Sequence, residues 1–280
     1  MKQAFLNGRL LPEAEARISV FDRSFLYGDG LFETLRIYAG KPFRWNAHLE
    51  RLHRGAAALG IRLPFSGDEL RQAATELLAL NGESEALLRL HLSRGVGRRG
   101  YSPAGADSPT LVMTTHPATR QDPANPTRWT LTTSSLVLPS TDRLAAYKTA
   151  NKLIQILARA EAEARGCDEA LLLNSTRAVV EGTSANVFWI ERGVVCTPPL
   201  KSGALPGITR GVVMELATDL GCEVAEPKCL LEQLLASEGV FLTLSSFEIV
   251  PALRLDGQAL PESPLTRQLH EAYQRTTRGD

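Results

Sequence analysis

"HPATRQDPANPTRW", residues 116–129, carries three prolines and no apolar periodicity. Proline lacks the amide proton that a helix or a sheet ladder needs, so this stretch reads as an exposed connection and divides the chain. The boundaries that follow are an N-terminal domain over 1–118, a linker over 119–129 and a C-terminal domain over 130–280. At 280 residues the chain exceeds one domain of ordinary size, roughly 100–200 residues, so two are expected.

On the N-terminal side, "QAFLNGRLL" (3–11) sets Asn7-Gly8 between apolar runs, the signature of a hairpin whose turn residues must accept positive φ. Two amphipathic helices are expected next. "WNAHLERLHRGAAALG" (45–60) spaces Leu49, Leu52, Ala56 and Leu59 helically and stops at Gly60, and "SGDELRQAATELLALNG" (66–82) repeats that form with Ser66 as N-cap. "EALLRLHLSRG" and "PTLVMTTH" then alternate as strands around the Gly- and Arg-rich loop "RGVGRRGYSPAGADS" (94–108).

On the C-terminal side, "RWTLTTSSLVL" reads as a strand. "KTANKLIQILARAEAEARG" (148–166) reads as a long helix with Leu153, Ile156, Leu157, Ala160 and Ala164 on one face and charges on the other. Strand-like "EALLLN", "NVFWI" and "VVCT" follow, then the turn "SGALPG", the helix "ITRGVVMELATDLG", and the strand-like "GVFLTLS" and "EIVPALRLDG". Helices and strands do not alternate strictly, so the expectation is an α+β protein with largely antiparallel sheets, not a doubly wound one.

Composition narrows the function. With 44% hydrophobic residues and 31 basic against 31 acidic side chains, the chain has no global field to attract nucleic acid or an anionic membrane. "MKQAFLNGRL" interrupts with charges and a turn where a secretory signal needs an apolar run, so the cytoplasm is the expected location. Cys167, Cys196, Cys222 and Cys229 show neither CxxC nor zinc-like spacing and read as reduced thiols; no metal site is expected. His48, His53, His91, His116 and His270 are scattered and read as structural.

Three residues in company suggest chemistry. Lys148, in "AAYKTANKL", is on spacing alone a surface lysine. It precedes a helix, however, while Glu181 opens the strand-forming "EGTSANVFWI", and "LPGITR" places Gly207 at a helix start whose free N–H groups suit a phosphate. An amine, a lone carboxylate and a phosphate cradle suit pyridoxal phosphate: the amine forms a Schiff base, the carboxylate keeps the pyridine nitrogen protonated, and the helix end holds the phosphate.

The order of "FDRSFLYGDGLFETLR", "HLERL", "YKTANKL", "EGTSANVFWI", "LPGITR" and "TLSSFEIVP" resembles the class IV (fold-type IV) pyridoxal-phosphate enzymes along nearly the whole chain. That family comprises branched-chain and D-amino-acid aminotransferases, (R)-amine transaminases and 4-amino-4-deoxychorismate lyase. The resemblance implies a smaller N-terminal α/β domain, a larger C-terminal pseudo-barrel domain with the cofactor held between them, and a homodimer. It implies Lys148 as the Schiff-base lysine and acid/base, Glu181 at the pyridine nitrogen, and Arg51 as a bidentate phosphate clamp. Gly207, the amides of Ile208 and Thr209, and the hydroxyls of Thr209 and Ser245 complete the phosphate cup, and Leu205 lies against the ring. Phe32, Arg99 and Tyr101 are the implied substrate contacts.

"RGVGRRGY" and "KTANKLIQILAR" resemble the lyase, which forms 4-aminobenzoate and pyruvate, and make it the first expectation. "EGTSAN", "LPGITR" and Glu248 in "SSFEIVP" look more like the aminotransferases, the second expectation, while a scaffold that binds the cofactor without turnover is the non-enzymatic alternative.

Overall fold

The computed structural model describes residues 1–277, in two compact units. The first comprises residues 1–119 together with 147–152, and the second 120–146 with the chain from 153 onward.

The first unit contains β1 (Gln3–Leu6), β2 (Arg9–Pro12), α1 (Arg23–Tyr27), β3 (Gly30–Tyr38), β4 (Lys41–Pro42), α2 (Trp45–Leu59), α3 (Gly67–Asn81), β5 (Ala86–Ser93) and β6 (Thr110–Pro117). Its six-stranded sheet runs β2-β1-β6-β5-β3-β4, antiparallel throughout. The expected hairpin turn forms with Asn7 at φ 48 and Gly8 at φ 88. Ser66 caps α3 in a reciprocal capping box with Glu69, and Gly60 closes α2 in the left-handed region.

Pleating divides that sheet into two faces. Leu31, Leu35, Ile37, Leu88, Leu90, Leu92, Leu111 and Met113 join α2 and α3 in one core. The other face carries Phe32 opposite His91 and Thr34 opposite Arg89. The helix α2 comes close to the sheet through Gly55, where a Cβ would stand 2.9 Å from Leu31 Cδ2.

The second unit contains β7 (Trp129–Leu138), α4 (Leu153–Ala164), β8 (Glu169–Asn174), β9 (Val179–Gly182), β10 (Asn186–Glu191), β11 (Val194–Cys196), α5 (Ile208–Asp219), β12 (Val224–Ala225), α6 (Leu231–Leu235), β13 (Gly239–Leu244), β14 (Glu248–Leu255), β15 (Gln258–Ala259) and α7 (Pro264–Thr277). Its nine-stranded sheet runs β12-β11-β10-β13-β14-β7-β8-β9, with β15 on β14. Its pairing is mainly antiparallel, as expected, with β7 parallel to both β8 and β14 and β11 parallel to β12. Crossovers through α4 and α5 make parallel neighbours possible.

The helix α4 forms from Leu153 and buries a face other than its large apolar one. Ala158 and Ala162 form the buried face, while Leu153, Ile156 and Leu157 are 62%, 62% and 48% exposed. Small side chains let the helix lie close against β7 and β8, and the large apolar ones point outward. Cys196 and Cys229 are buried, and burial pushes their thiols up to about 11 and about 12; Cys167 and Cys222 are half-buried. Among the described residues no helix is long and apolar enough to cross a membrane.

Candidate active site

In the first unit, Lys148 lies on a strap that extends the edge of β3. Its carbonyl accepts from Phe32 N at 2.9 Å, Thr149 pairs with Leu31, and Ala150 N donates to Gly30 O at 2.8 Å. These backbone bonds hold a flexible side chain at a fixed root. Lys148 Nζ lies 4.6 Å from the centroid of the Phe32 ring, and Arg89 Cζ lies 3.5 Å from it. Burial lowers the Arg89 guanidinium to about 10, against the pull of Glu33, so it stays cationic at neutral pH. Arg89 also donates from Nη1 to Thr34 Oγ1 at 3.4 Å.

Behind Phe32, the alternation of β3 turns Glu33 inward between Leu31 and Leu35. Arg51 and His48, one turn apart on α2, meet it there. Arg51 Nε donates to Glu33 Oε1 at 2.8 Å and Nη2 to Oε2 at 2.7 Å, and His48 Nδ1 lies 2.6 Å from Oε2. Burial alone would raise the Glu33 carboxyl, but the charge of Arg51 and the hydrogen bonds from Arg51 and His48 overcome it and hold the group down at about 2. His48 is lowered by burial and by the positive charges of Arg51 and Lys148, against the pull of Glu33. A neutral imidazole donating from Nδ1 fits that balance.

The loop 94–108 does not behave as one cationic patch. Arg94 donates from Nη2 to Leu59 O at 2.7 Å and from Nη1 to Gly60 O at 3.1 Å, closing the C-terminus of α2. Arg23 grips the carbonyls of Gly100, Tyr101 and Ser102. Arg99 is exposed, and Tyr101 is 87% exposed with its ring edge-on to Tyr27. These contacts do not bring the two residues to Phe32 or Lys148.

In the second unit, Glu181 lies near the end of β9, where the sequence reading has it opening a strand. It pairs with Leu172 beside a register shift in the β8–β9 ladder, and the chain turns at 183–185 before β10 begins. Glu181 Oε2 accepts from Leu205 N at 2.9 Å, while Asn186 Nδ2 donates to Leu205 O at 2.9 Å. Residues on both sides of the turn thus hold both backbone groups of Leu205.

That grip leads into α5. Gly207 is its N-cap, with no side-chain cap, so the first amides, including those of Ile208 and Thr209, face a terminus that an anion can satisfy. A Cβ on Gly207 would fall 1.9 Å from Asn186 Oδ1. Replacing Gly207 with alanine must therefore displace the turn, and cofactor retention measured by dialysis is expected to fall at least about tenfold, the worth of roughly 1.4 kcal/mol. Ser245 lies in the turn between β13 and β14. Glu248, just beyond, is buried at φ 62, with Oε2 3.0 Å from His270 Nε2 and accepting from Gln274 Nε2 at 3.1 Å.

The structure thus brings Lys148, Phe32 and Arg89 together in the first unit, with the buried Glu33–Arg51–His48 group adjoining Phe32. In the second it brings together Glu181, Leu205 and Gly207 at the start of α5. An uncapped helix terminus with no room for a Cβ fits a phosphate, and a rooted lysine fits an aldehyde.

The family model for amino-transferase class IV matches residues 30–255. The chain belongs to the class IV aminotransferases. It is 36% identical over 272 residues, 96% of its length and 94% of the relative's, to a putative branched-chain-amino-acid aminotransferase of Methanocaldococcus jannaschii. It is 32% identical over 255 residues, 90% of its length and 86% of the relative's, to the aminodeoxychorismate lyase of Bacillus subtilis. Among solved structures it resembles the branched-chain aminotransferase of the thermophilic archaeon Thermoproteus uzoniensis. That match has a TM-score of 0.93 and 32% identity and covers 99% of this chain and 95% of the other. The fold-type IV architecture expected from the motifs is thereby established for this class IV chain. Pyridoxal phosphate is the cofactor of the family, as the motifs led one to expect, and a further branched-chain amino acid aminotransferase of matching fold is solved with pyridoxamine 5'-phosphate.

Glu33, His48 and Arg89 were missed as site residues. The signal for Glu33 was present: Leu31, Leu35 and Ile37 alternate around it toward the core, so an acid in that phase needs a buried cation. His48 was read as structural, and three residues before Arg51 it shares that residue's helix face. Arg89 was passed over as one polar position of an alternating strand.

Proposed function

We propose that this class IV enzyme is an aminotransferase acting on an α-amino acid, with Lys148 as the residue that joins pyridoxal phosphate and moves the substrate's proton. The observation that carries this reading is Arg89: a half-buried guanidinium over the ring that Lys148 also approaches, with no ion pair to a carboxylate among the described residues. Glu33 acts on this cation only from a distance, so a substrate carboxylate near the reactive amine would supply the direct ion pair that the described residues do not. The similarity to the branched-chain relative along nearly the full length supports the same reading.

Bound pyridoxal phosphate supplies an electron sink for bonds to the amine-bearing carbon. The residues of the chain do the rest. Lys148 serves as the amine nucleophile and then as the base and acid at that carbon. Glu181 would accept a hydrogen bond from the pyridine nitrogen and keep it protonated. Leu205 would pack against the ring. The amides of Ile208 and Thr209, beyond Gly207, and the hydroxyls of Thr209 and Ser245 would hold the phosphate. Arg51, whose guanidinium Glu33 orients through Nε and Nη2, would help hold the phosphate. The exposed apolar stripe of Leu153, Ile156 and Leu157 supports a homodimer, since such a face needs cover. The reading places the enzyme in the cytoplasm.

A second reading, 4-amino-4-deoxychorismate lyase, rests on "RGVGRRGY" and "KTANKLIQILAR" and on the similarity to the Bacillus subtilis lyase. In it Arg99 and Tyr101 meet the substrate. One assay on purified, cofactor-loaded protein separates the two. Amine transfer from L-leucine, D-alanine or D-glutamate to 2-oxoglutarate or pyruvate is the expected result. Release of 4-aminobenzoate and pyruvate from 4-amino-4-deoxychorismate without a keto acid would establish the lyase instead, and no turnover of either kind would leave a binding protein. In the transaminase, Arg89→Leu is expected to raise KM for the amino acid about ten- to hundredfold, the worth of a hydrogen bond to a charged group, with a smaller effect on kcat. An unchanged KM would remove Arg89 from the substrate site.

A further inference from the structure

Glu169, the first residue of β8, is a fully buried acid that the chemistry above does not use. Its Oε1 accepts from Thr183 N at 3.1 Å, Thr183 Oγ1 at 2.5 Å and Ala170 N at 2.8 Å. Its Oε2 accepts from Ser184 Oγ at 3.1 Å, with Arg159 Nη1 at 3.8 Å. The side chain also fills the space above Gly182, where a Cβ would stand 3.3 Å from Glu169 Cγ. Gly182 N donates to Ala185 O at 2.7 Å, closing the same turn. Two hydroxyls and one amide of that turn are thus directed at one carboxylate.

The turn has Glu181 immediately before it and Asn186 immediately after it, the two residues that hold the N–H and C=O of Leu205. We propose that Glu169 is a positioning residue for the cofactor: by folding 182–185 around its carboxylate it sets the spacing between Glu181 and Asn186, and through Leu205 and Gly207 the start of α5. It touches none of the reacting atoms. The inference rests on the reading that Glu181 meets the pyridine nitrogen and that the α5 terminus holds the phosphate.

The test is Glu169→Gln in the full chain loaded with pyridoxal phosphate. The amide keeps the side chain's volume but replaces one acceptor with a donor that faces other donors. Hydrogen exchange over 183–186 and 204–208 is expected to quicken at least tenfold with the rest of the second unit unchanged. Cofactor release is expected to quicken by a similar factor, and kcat to fall more than KM rises. The pH midpoint of the bound cofactor's visible band should move upward, because a displaced Glu181 leaves the pyridine nitrogen less protonated. Wild-type exchange in those segments would overturn the proposal. So would faster exchange with wild-type cofactor release and band midpoint, since a purely structural acid would do that much. If the variant does not fold, the Thr183→Ala, Ser184→Ala double variant, which removes two of the donors, is read by the same criteria. A failure of the cofactor reading looks different: the unaltered protein itself takes up no visible band, while exchange in Glu169→Gln still decides whether the acid holds the turn.

Discussion

Lys148→Ala is expected to lower turnover on the order of 10⁴-fold and to abolish the visible band of the protein-bound cofactor. The loss has two parts. The amine that joins the cofactor is gone, and so is the group that moves the substrate proton, a role worth roughly 10²–10⁴-fold by itself. The fold is expected to survive, because the strap is held by backbone bonds to Gly30, Leu31 and Phe32 and by Tyr147 in the core, none of which uses the lysine side chain. Steady-state kinetics, the visible spectrum and far-ultraviolet circular dichroism of the same preparation check all three statements. A variant that kept a reducible linkage to the cofactor would assign the chemistry to another lysine.

The second large effect is on stability. Glu33→Gln removes the Glu33 charge from the buried Arg51, 4% exposed, and breaking a buried pair from one side costs roughly 3–5 kcal/mol. The pH dependence carries the same signature. The Glu33 carboxyl sits at about 2 in the folded chain against an ordinary 4.5, so the folded state binds its proton less tightly than the unfolded state does. Its contribution, on the order of 3 kcal/mol, is fully present above the ordinary carboxyl range and is lost as the pH falls through 4.5 toward 2. Denaturant unfolding of the unaltered protein should therefore weaken over that window, and the Glu33 share of the weakening should vanish in Glu33→Gln. Equal stability of the two proteins at neutral pH would show that the pair is not the buried clamp its geometry describes. The variant should also hold cofactor less well, because Glu33 fixes the plane of the Arg51 guanidinium.

Local signals told most where one residue type has one physical use. Asn7-Gly8 read as a turn, Ser66 read as a cap, and Gly207 ahead of "ITR" marked a helix start with no room for a side chain. In α4 periodicity reports that an apolar face exists and not what covers it. Its leucines and isoleucines form the more conspicuous stripe, yet the alanines meet the sheet. Largely antiparallel sheets were legible in the order of elements, but which neighbours are parallel was not, since a buried strand reads the same in either pairing. In the candidate site, Lys148, Arg51 and Glu181 stood out through the order of motifs, with nothing in the spacing of any one of them to mark it. Arg89 and Glu169 lie outside the quoted family motifs, and Glu33 lies inside "FDRSFLYGDGLFETLR" with nothing to mark its role. Each acts through a partner distant in sequence, as Glu169 does with Thr183 and Ser184, and only the folded chain brings such partners together.

The most direct test of the central claim is to reduce the cofactor-loaded protein with borohydride, digest it and locate the modified residue by mass spectrometry. One reduced pyridoxyl phosphate group on the peptide bearing Lys148, with loss of the visible band and of activity in the same proportion, is the predicted result. Modification of a different lysine, or full activity retained after reduction, would contradict the account.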